Sequence, residues 1–233
     1  LTKALEKNGI YGANYKITMI VTMFIQAFRY ASEPFFFKNE ADKNSKTIIS
    51  KIMTYFVIVL VFIFLTITLY LHVFKYFIPN EIYWEGLVVV PILLAANICL
   101  GIYTTLSIWY KLSKHTIYGA YISGFGAILT LSINYLLIPI YGYQACAITT
   151  LICYFSMMVV SYFLGQKHYH IPYNIKKIFL YVFLGGGLYA ISLPFEPMEN
   201  YHWAGYAYHT SLIFTFILIV YFKEIRKEKM VIL

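Results

Sequence analysis

Residues 52–74 read IMTYFVIVLVFIFLTITLYLHVF, with one histidine and no formal charge. The run has neither the strict alternation of a barrel strand nor the one-sided spacing of a helix on a soluble core. At about 1.5 Å per residue it is long enough to cross about 30 Å of hydrocarbon as a helix. In lipid the backbone must satisfy its own hydrogen bonds, so a continuous apolar run of this length means a spanning helix. Working outward from it, similar runs cover Gly9–Ala31, Trp84–Ile108, Ile117–Ile138, Tyr143–Leu164, Ile175–Leu193 and Trp203–Phe222. The expected fold is an all-α membrane protein, a bundle of seven transmembrane helices. Composition agrees: 61% of the 233 residues are hydrophobic, 12% are charged, and the mean hydropathy is +0.69. Soluble domains carry about 25% charged residues.

The connections alternate in charge. Arg29, Lys38, Lys43, Lys46 and Lys51 follow the first run, Lys111 and Lys114 the third, and Lys167, Lys176 and Lys177 the fifth. Lys223, Arg226, Lys227 and Lys229 follow the seventh. The opposite side holds only Lys3, Lys7 and Lys75, and Lys16 lies within a run. The ten acids divide evenly between the two sides. Lysine and arginine, not net charge, report topology, so the basic side is expected in the cytoplasm, with the N-terminus outside and the C-terminus inside. The formal charge of +8 is then explained by topological anchors beside anionic lipid, and no nucleic-acid partner is expected. Tyr83, Trp84, Trp109, Tyr110, Tyr141, Tyr143, Tyr201 and Trp203 fall at the boundaries, where amphipathic rings lie at headgroup depth.

Catalytic and metal chemistry find no support in the spacing. Cys99, Cys146 and Cys153 lie inside apolar runs and read as small core residues. His72, His115, His168, His170, His202 and His209 are scattered, mostly at the ends of runs, without metal-ligand spacing. No acid lies deep in a span, and the connections on the lysine-poor side are too short to build an enzyme cleft. A retinal protein would need a lysine in its last span, and Trp203–Phe222 has none. The expectation is a protein that is not an enzyme and uses no cofactor.

The polar residues inside the spans are the candidate site. Tyr11, Asn14, Tyr15, Thr18, Thr22, Gln26, Arg29 and Glu33 fall on about a third of the first helix's circumference. Such a stripe faces a bundle interior or a watery cavity, because lipid offers it no partners; interhelical hydrogen bonding and a transport pathway both fit. Lys16 lies about two turns from the end and off the stripe, so it can snorkel or present a cation to an anion. Arg29 and Glu33 are spaced to pair, and Pro34 is expected to stop the helix. Asn97 follows Pro91 in the third span, where the proline predicts a kink. Gly119, Ser123, Gly126, Thr130 and Asn134 share a face of the fourth, suited to close packing or to lining a pathway. Gly185, Gly186 and Gly187 mark a close-contact or flexible point in the sixth.

Two motifs carry a family resemblance. Residues 133–150, INYLLIPIYGYQACAITT, resemble the N-x-x-L-I-P-x-Y-G-x-x-G-A-A-x-A-T turn of Wzx-like bacterial polysaccharide flippases. These belong to the multidrug, oligosaccharidyl-lipid and polysaccharide exporter superfamily. Residues 9–16, GIYGANYK, are similar to the G-x-Y-x-A-A-x-K opening of a helix early in that family's second half, and 31–36, ASEPFF, to its cytoplasmic end. The chain departs from the family pattern at Ala145, Cys146, Thr149 and Asn14.

The resemblance implies fourteen helices in two lobes, with this chain as helices 8–14. It begins at Leu1 without a methionine, in keeping with a fragment. Residues 1–165 would then form most of the second lobe, and 166–233 two further spans with a basic tail. The implied activity is flipping undecaprenyl-pyrophosphate-linked oligosaccharide across the bacterial inner membrane for O-antigen, capsule or exopolysaccharide synthesis. Its implied partners are the lipid-linked oligosaccharide, membrane lipids, an N-terminal half of the same protein and polysaccharide-assembly proteins. Lys16 falls where related flippases tend to carry a cavity-facing cation. With it, Arg29, Asn14, Thr18, Thr22 and Gln26 are the candidate head-group or cavity residues, and Pro91, Asn97 and Asn134 the pathway or hinge candidates. The alternatives are an ion-coupled exporter of another substrate in the same superfamily, or a membrane-embedded glycan-processing enzyme.

Overall fold

A computed structural model describes residues 2–195 and 203–225. Its described residues are helical or in short connections, without a β-strand. The helices are α1 (Thr2–Lys38), α2 (Ser45–Leu69), the short α3 (Leu71–Phe74), α4 (Val90–Leu106), the short α5 (Ile108–Leu112), α6 (Ile117–Tyr141), α7 (Tyr143–His168), α8 (Ile175–Ser192) and α9 (Trp203–Val220). Tight 3-10 segments at Lys75–Phe77 and Glu81–Val89 lead from α3 into α4, and a π-turn, Tyr221–Ile225, ends α9. The Pro194–Tyr201 connection and the basic residues Arg226, Lys227 and Lys229 fall wholly or largely outside the described residues.

Among the described residues six stretches are long and apolar enough to cross a membrane: Ser45–Leu69, Glu81–Leu112, Ile117–Tyr141, Tyr143–His168, Ile175–Ser192 and Trp203–Glu224. The sequence expectation was seven. The long helix not in this set is α1, which carries the polar stripe and Lys16. Pro34 does not stop α1, which continues to Lys38. It lies near the helix's end, where losing one backbone bond is tolerated.

The long helices alternate in direction, and side-chain bonds join their like ends. At the lysine-rich end Lys111 meets Glu33, Ser50 Oγ donates to the Pro172 carbonyl at 2.7 Å, and Lys177 Nζ donates to Glu224 Oε2 at 2.7 Å. At the lysine-poor end Asn14 Nδ2 donates to the Tyr83 carbonyl at 2.7 Å, and the Tyr70 and Thr210 hydroxyls lie 2.7 Å apart. This geometric alternation follows the alternating charges of the loops.

Within this frame α4 is central, packed by α7, α1 and α2, while α8 and α9 lie on α2, and α6 lies on α7. The apolar windows of α2 and the α4 span are 67% and 61% buried, against 11% for α6 and 17% for α9. The two most buried spans are also the two most apolar, but because lipid is as apolar as a helix interface, hydropathy does not say which helix faces meet. Small residues allow particular close contacts. A side chain at Gly101 of α4 would overlap Leu60 of α2, and one at Gly126 of α6 would meet Met157 Sδ at 2.6 Å. The α6–α7 turn closes at Gly142, whose φ of +58° suits glycine.

Pro91 corrects the expected kink. It occupies the first turn of α4, where a missing N–H breaks no helical bond.

Candidate functional site

The polar stripe of α1 divides into two parts with different chemistry. Its first part is closed against α4 and the 3-10 segment. Asn14 is fully buried, and its amide donates to the carbonyls of Ile10 at 2.8 Å and Tyr83 at 2.7 Å. Gly86 makes this approach possible, since a Cβ there would overlap the Asn14 amide. One turn along, Asn97 Nδ2 donates to the Thr18 carbonyl at 3.1 Å, and a turn further Thr22 Oγ1 lies 3.4 Å from Asn97 Oδ1. Thr18 is itself buried and donates to the Tyr15 carbonyl at 2.8 Å. Asn14, Thr18, Thr22 and Asn97 therefore clip α1 to its neighbours. Of the two roles open to the stripe, interhelical bonding describes these contacts.

The second part is ionic. Arg29 Nε lies 3.3 Å from Glu33 Oε1, the pairing expected from their spacing, and Lys111 from the α5 end shares the same carboxylate. Phe28, Ser32, Thr104 and Ile108 close around the group, leaving a void of only about 10 Å³. Arg29 is thus engaged by protein. Gln26 lies half-buried between the two parts.

Lys16 behaves differently from the stripe. It is exposed, on a face of α1 turned away from α4. It borders a cavity of about 150 Å³ whose other walls are Ala13, Ile17, Ile20, Phe74, Phe77 and Ile78. Along the same side of α1, Met19, Ile20, Met23 and Phe24 are exposed. An ammonium on an open apolar face can meet an anion without displacing a protein partner.

The pathway candidates are not brought together. Asn97 joins α1, Pro91 borders a separate cavity at the lysine-poor end, and Asn134 lies half-buried on α6, which packs chiefly on α7. In α6, Gly119 and Gly126 serve packing, lying against Tyr110 and against Met157 with Cys153. Gly185 approaches Val61, while Gly186 and Gly187 face open space.

Two groupings escape linear reading. Glu224, placed by sequence in a cytoplasmic tail, is buried; it accepts from Lys177 Nζ at 2.7 Å and from the Tyr181 hydroxyl at 2.8 Å. The histidines also cluster. His72 and His209 come within 6.5 Å between ring centroids, and His115 and His168 within 6.1 Å. His168 stacks 5.6 Å from buried Trp109 and lies 3.1 Å from the Tyr118 hydroxyl. The only signal for these pairs was that each falls at one predicted membrane edge. Among the described residues no three histidines, cysteines or acids are grouped to hold a metal ion.

Compared with known proteins, the chain matches no family model, no curated protein and no solved structure.

Proposed function

We propose that this chain is the second half of a fourteen-helix, two-lobe flippase that carries undecaprenyl-pyrophosphate-linked oligosaccharide across the bacterial inner membrane. In this reading α1 is the seventh span: its 37 residues extend about 55 Å, more than the hydrocarbon requires. The lysine-rich end is cytoplasmic. The first five spans form most of one lobe, and α8 and α9 the additional pair.

The observation that carries the reading is Lys16. It lies in the GIYGANYK segment that resembles the flippase opening, yet it is not consumed by the packing that engages its neighbours Asn14 and Thr18. An N-terminal lobe facing the open side of α1 would enclose this ammonium. Out of bulk water it would attract a pyrophosphate strongly, because charge-assisted contacts gain strength as the dielectric falls. Rocking of one lobe against the other would then expose the cation to each leaflet in turn. The Arg29–Glu33–Lys111 group, at the opposite end of α1, holds that helix to its own lobe during the motion. Polysaccharide-assembly proteins would receive the flipped product.

The test is Lys16→Ala in the full-length protein, with surface polysaccharide measured at matched expression. Production should fall at least about tenfold, the worth of one charge-assisted contact, and Lys16→Arg should retain it. Normal production by the alanine variant would remove Lys16 from the transport site.

A further inference from the structure

A cavity of about 480 Å³ opens at the lysine-poor end, where α2 and α8 finish and α4 and α9 begin. Its volume falls in the range of small-ligand sites. The walls have two characters. Leu69, Leu71, Leu87, Val88 and Leu193 make an apolar side, while His72, Lys75 and His209 bring three nitrogen-bearing side chains from two separate parts of the chain. Thr68 from α2, and Tyr189 and Ser192 from α8, complete the polar lining. The Glu81–Val89 segment and α4 contribute Leu87, Val88 and Pro91, and no acid lines the cavity among the described residues.

The ammonium of Lys75 rests on aromatic rings. Lys75 Nζ lies 4.3 Å from the Trp84 ring centroid and 5.4 Å from that of Tyr76. Among the described residues no salt bridge joins it to an acid. The His72 ring lies 5.1 Å from Tyr206, and His209 packs edge-on to Tyr70 at 6.2 Å. A cation resting on aromatic faces keeps its N–H donors available to an anion.

We propose that this cavity binds a phosphate group, with Lys75, His72 and His209 as its contacts and the leucine side accommodating any attached acyl chain. The ends of four membrane-length stretches meet here, and the ring pairs Tyr76–Trp84 and Tyr70–Tyr206 lie beside Lys75 and His72. His72 lies beyond Leu69, where the long apolar helix stops. Burial, His209 and Lys75 together hold its imidazolium below the usual histidine range. A bound phosphate opposes all three effects by favouring the charged ring, so affinity rises as pH falls and the site takes up a proton on binding. The inference is independent of the flippase reading, because it concerns binding at a different cavity from the one beside Lys16.

The test is calorimetric titration of the full protein in uncharged maltoside micelles, at pH 6 and pH 8. Three probes are used: dioctanoyl phosphatidylglycerol, dioctanoylglycerol and sodium phosphate. Phosphatidylglycerol should bind more tightly at pH 6, and dioctanoylglycerol at least about tenfold more weakly, since it lacks the charge-assisted contacts. Binding of sodium phosphate as well identifies a site for the free anion; binding of the lipid alone identifies a headgroup site. Lys75→Met, which keeps the apolar stem on Trp84, should weaken binding of the phosphate-bearing probe about tenfold. If that variant does not fold, His72→Gln replaces it, with a much smaller pH dependence as the expected result. Equal binding of dioctanoylglycerol, binding by no probe, or unchanged affinity in the folded variant overturns the proposal.

Discussion

Replacing Glu224 by alanine probes a contact that joins the last two long helices. Its carboxylate accepts the Tyr181 hydroxyl at 2.8 Å and the Lys177 ammonium at 2.7 Å. Tyr181 is fully buried, whereas the Lys177 side chain is 41% exposed. The hydrogen bond to the charged carboxylate is worth about 1.5–3 kcal/mol, and its loss leaves a buried hydroxyl unsatisfied. The ion pair adds at most about 1 kcal/mol, since water screens the lysine. Glu224→Ala should therefore destabilise the fold by about 2–4 kcal/mol. Glu224→Gln retains an acceptor for Tyr181 and should cost about 1 kcal/mol. Equilibrium unfolding in mixed micelles, followed by circular dichroism, measures both. A cycle with Tyr181→Phe isolates the pairwise energy, expected at about 1–2 kcal/mol given the modest values of such bonds in membrane proteins. Coupling below about 0.3 kcal/mol, with both single variants folded, would refute the argument that this bond fixes α9 against α8.

Two further substitutions test the packing. Asn97→Ala removes the clip between α1 and α4 and should cost about 1–2 kcal/mol in the same unfolding assay; an unchanged midpoint would show that α1 is held by other contacts. A methyl at Gly165 would lie 2.8 Å from Cδ1 of Trp109, so Gly165→Ala should lose about 1–3 kcal/mol through overpacking. Gly187→Ala, which meets open space, should instead be neutral or gain up to about 1 kcal/mol from helix propensity. Equal thermal midpoints for the two alanine variants would contradict the close α5–α7 approach.

The helix boundaries were largely legible because each depends on local chemistry. Residues 117, 143, 175 and 203 begin both an apolar run and a helix. The run from Ile52 was less faithful: α2 begins earlier, at Ser45, and ends at Leu69, because lysines can occupy a helix's membrane-edge turns. Pro91 was read as an internal kink since sequence does not reveal that the preceding segment is 3-10. The candidate site was legible only as a stripe. Its residues share one side of α1 by simple periodicity, but what that side meets depends on helices distant in the chain.

Apolar run length and lysine placement thus determined by themselves that this is a helical membrane bundle with alternating connections. The bilayer enforces both, one segment at a time. Which residues within it serve as clips and which stay open was decided only by tertiary structure. Asn14 and Lys16 are two positions apart on one helix, and sequence treats both as polar groups within a span. Packing against Gly86 buries the first, and the absence of a described helix over the second leaves its ammonium exposed. The same assembly brings His72, Lys75 and His209 around one cavity and buries Glu224 beside Tyr181. Such convergence depends on which helices are neighbours, and in lipid the hydrophobicity of a segment does not name its neighbours.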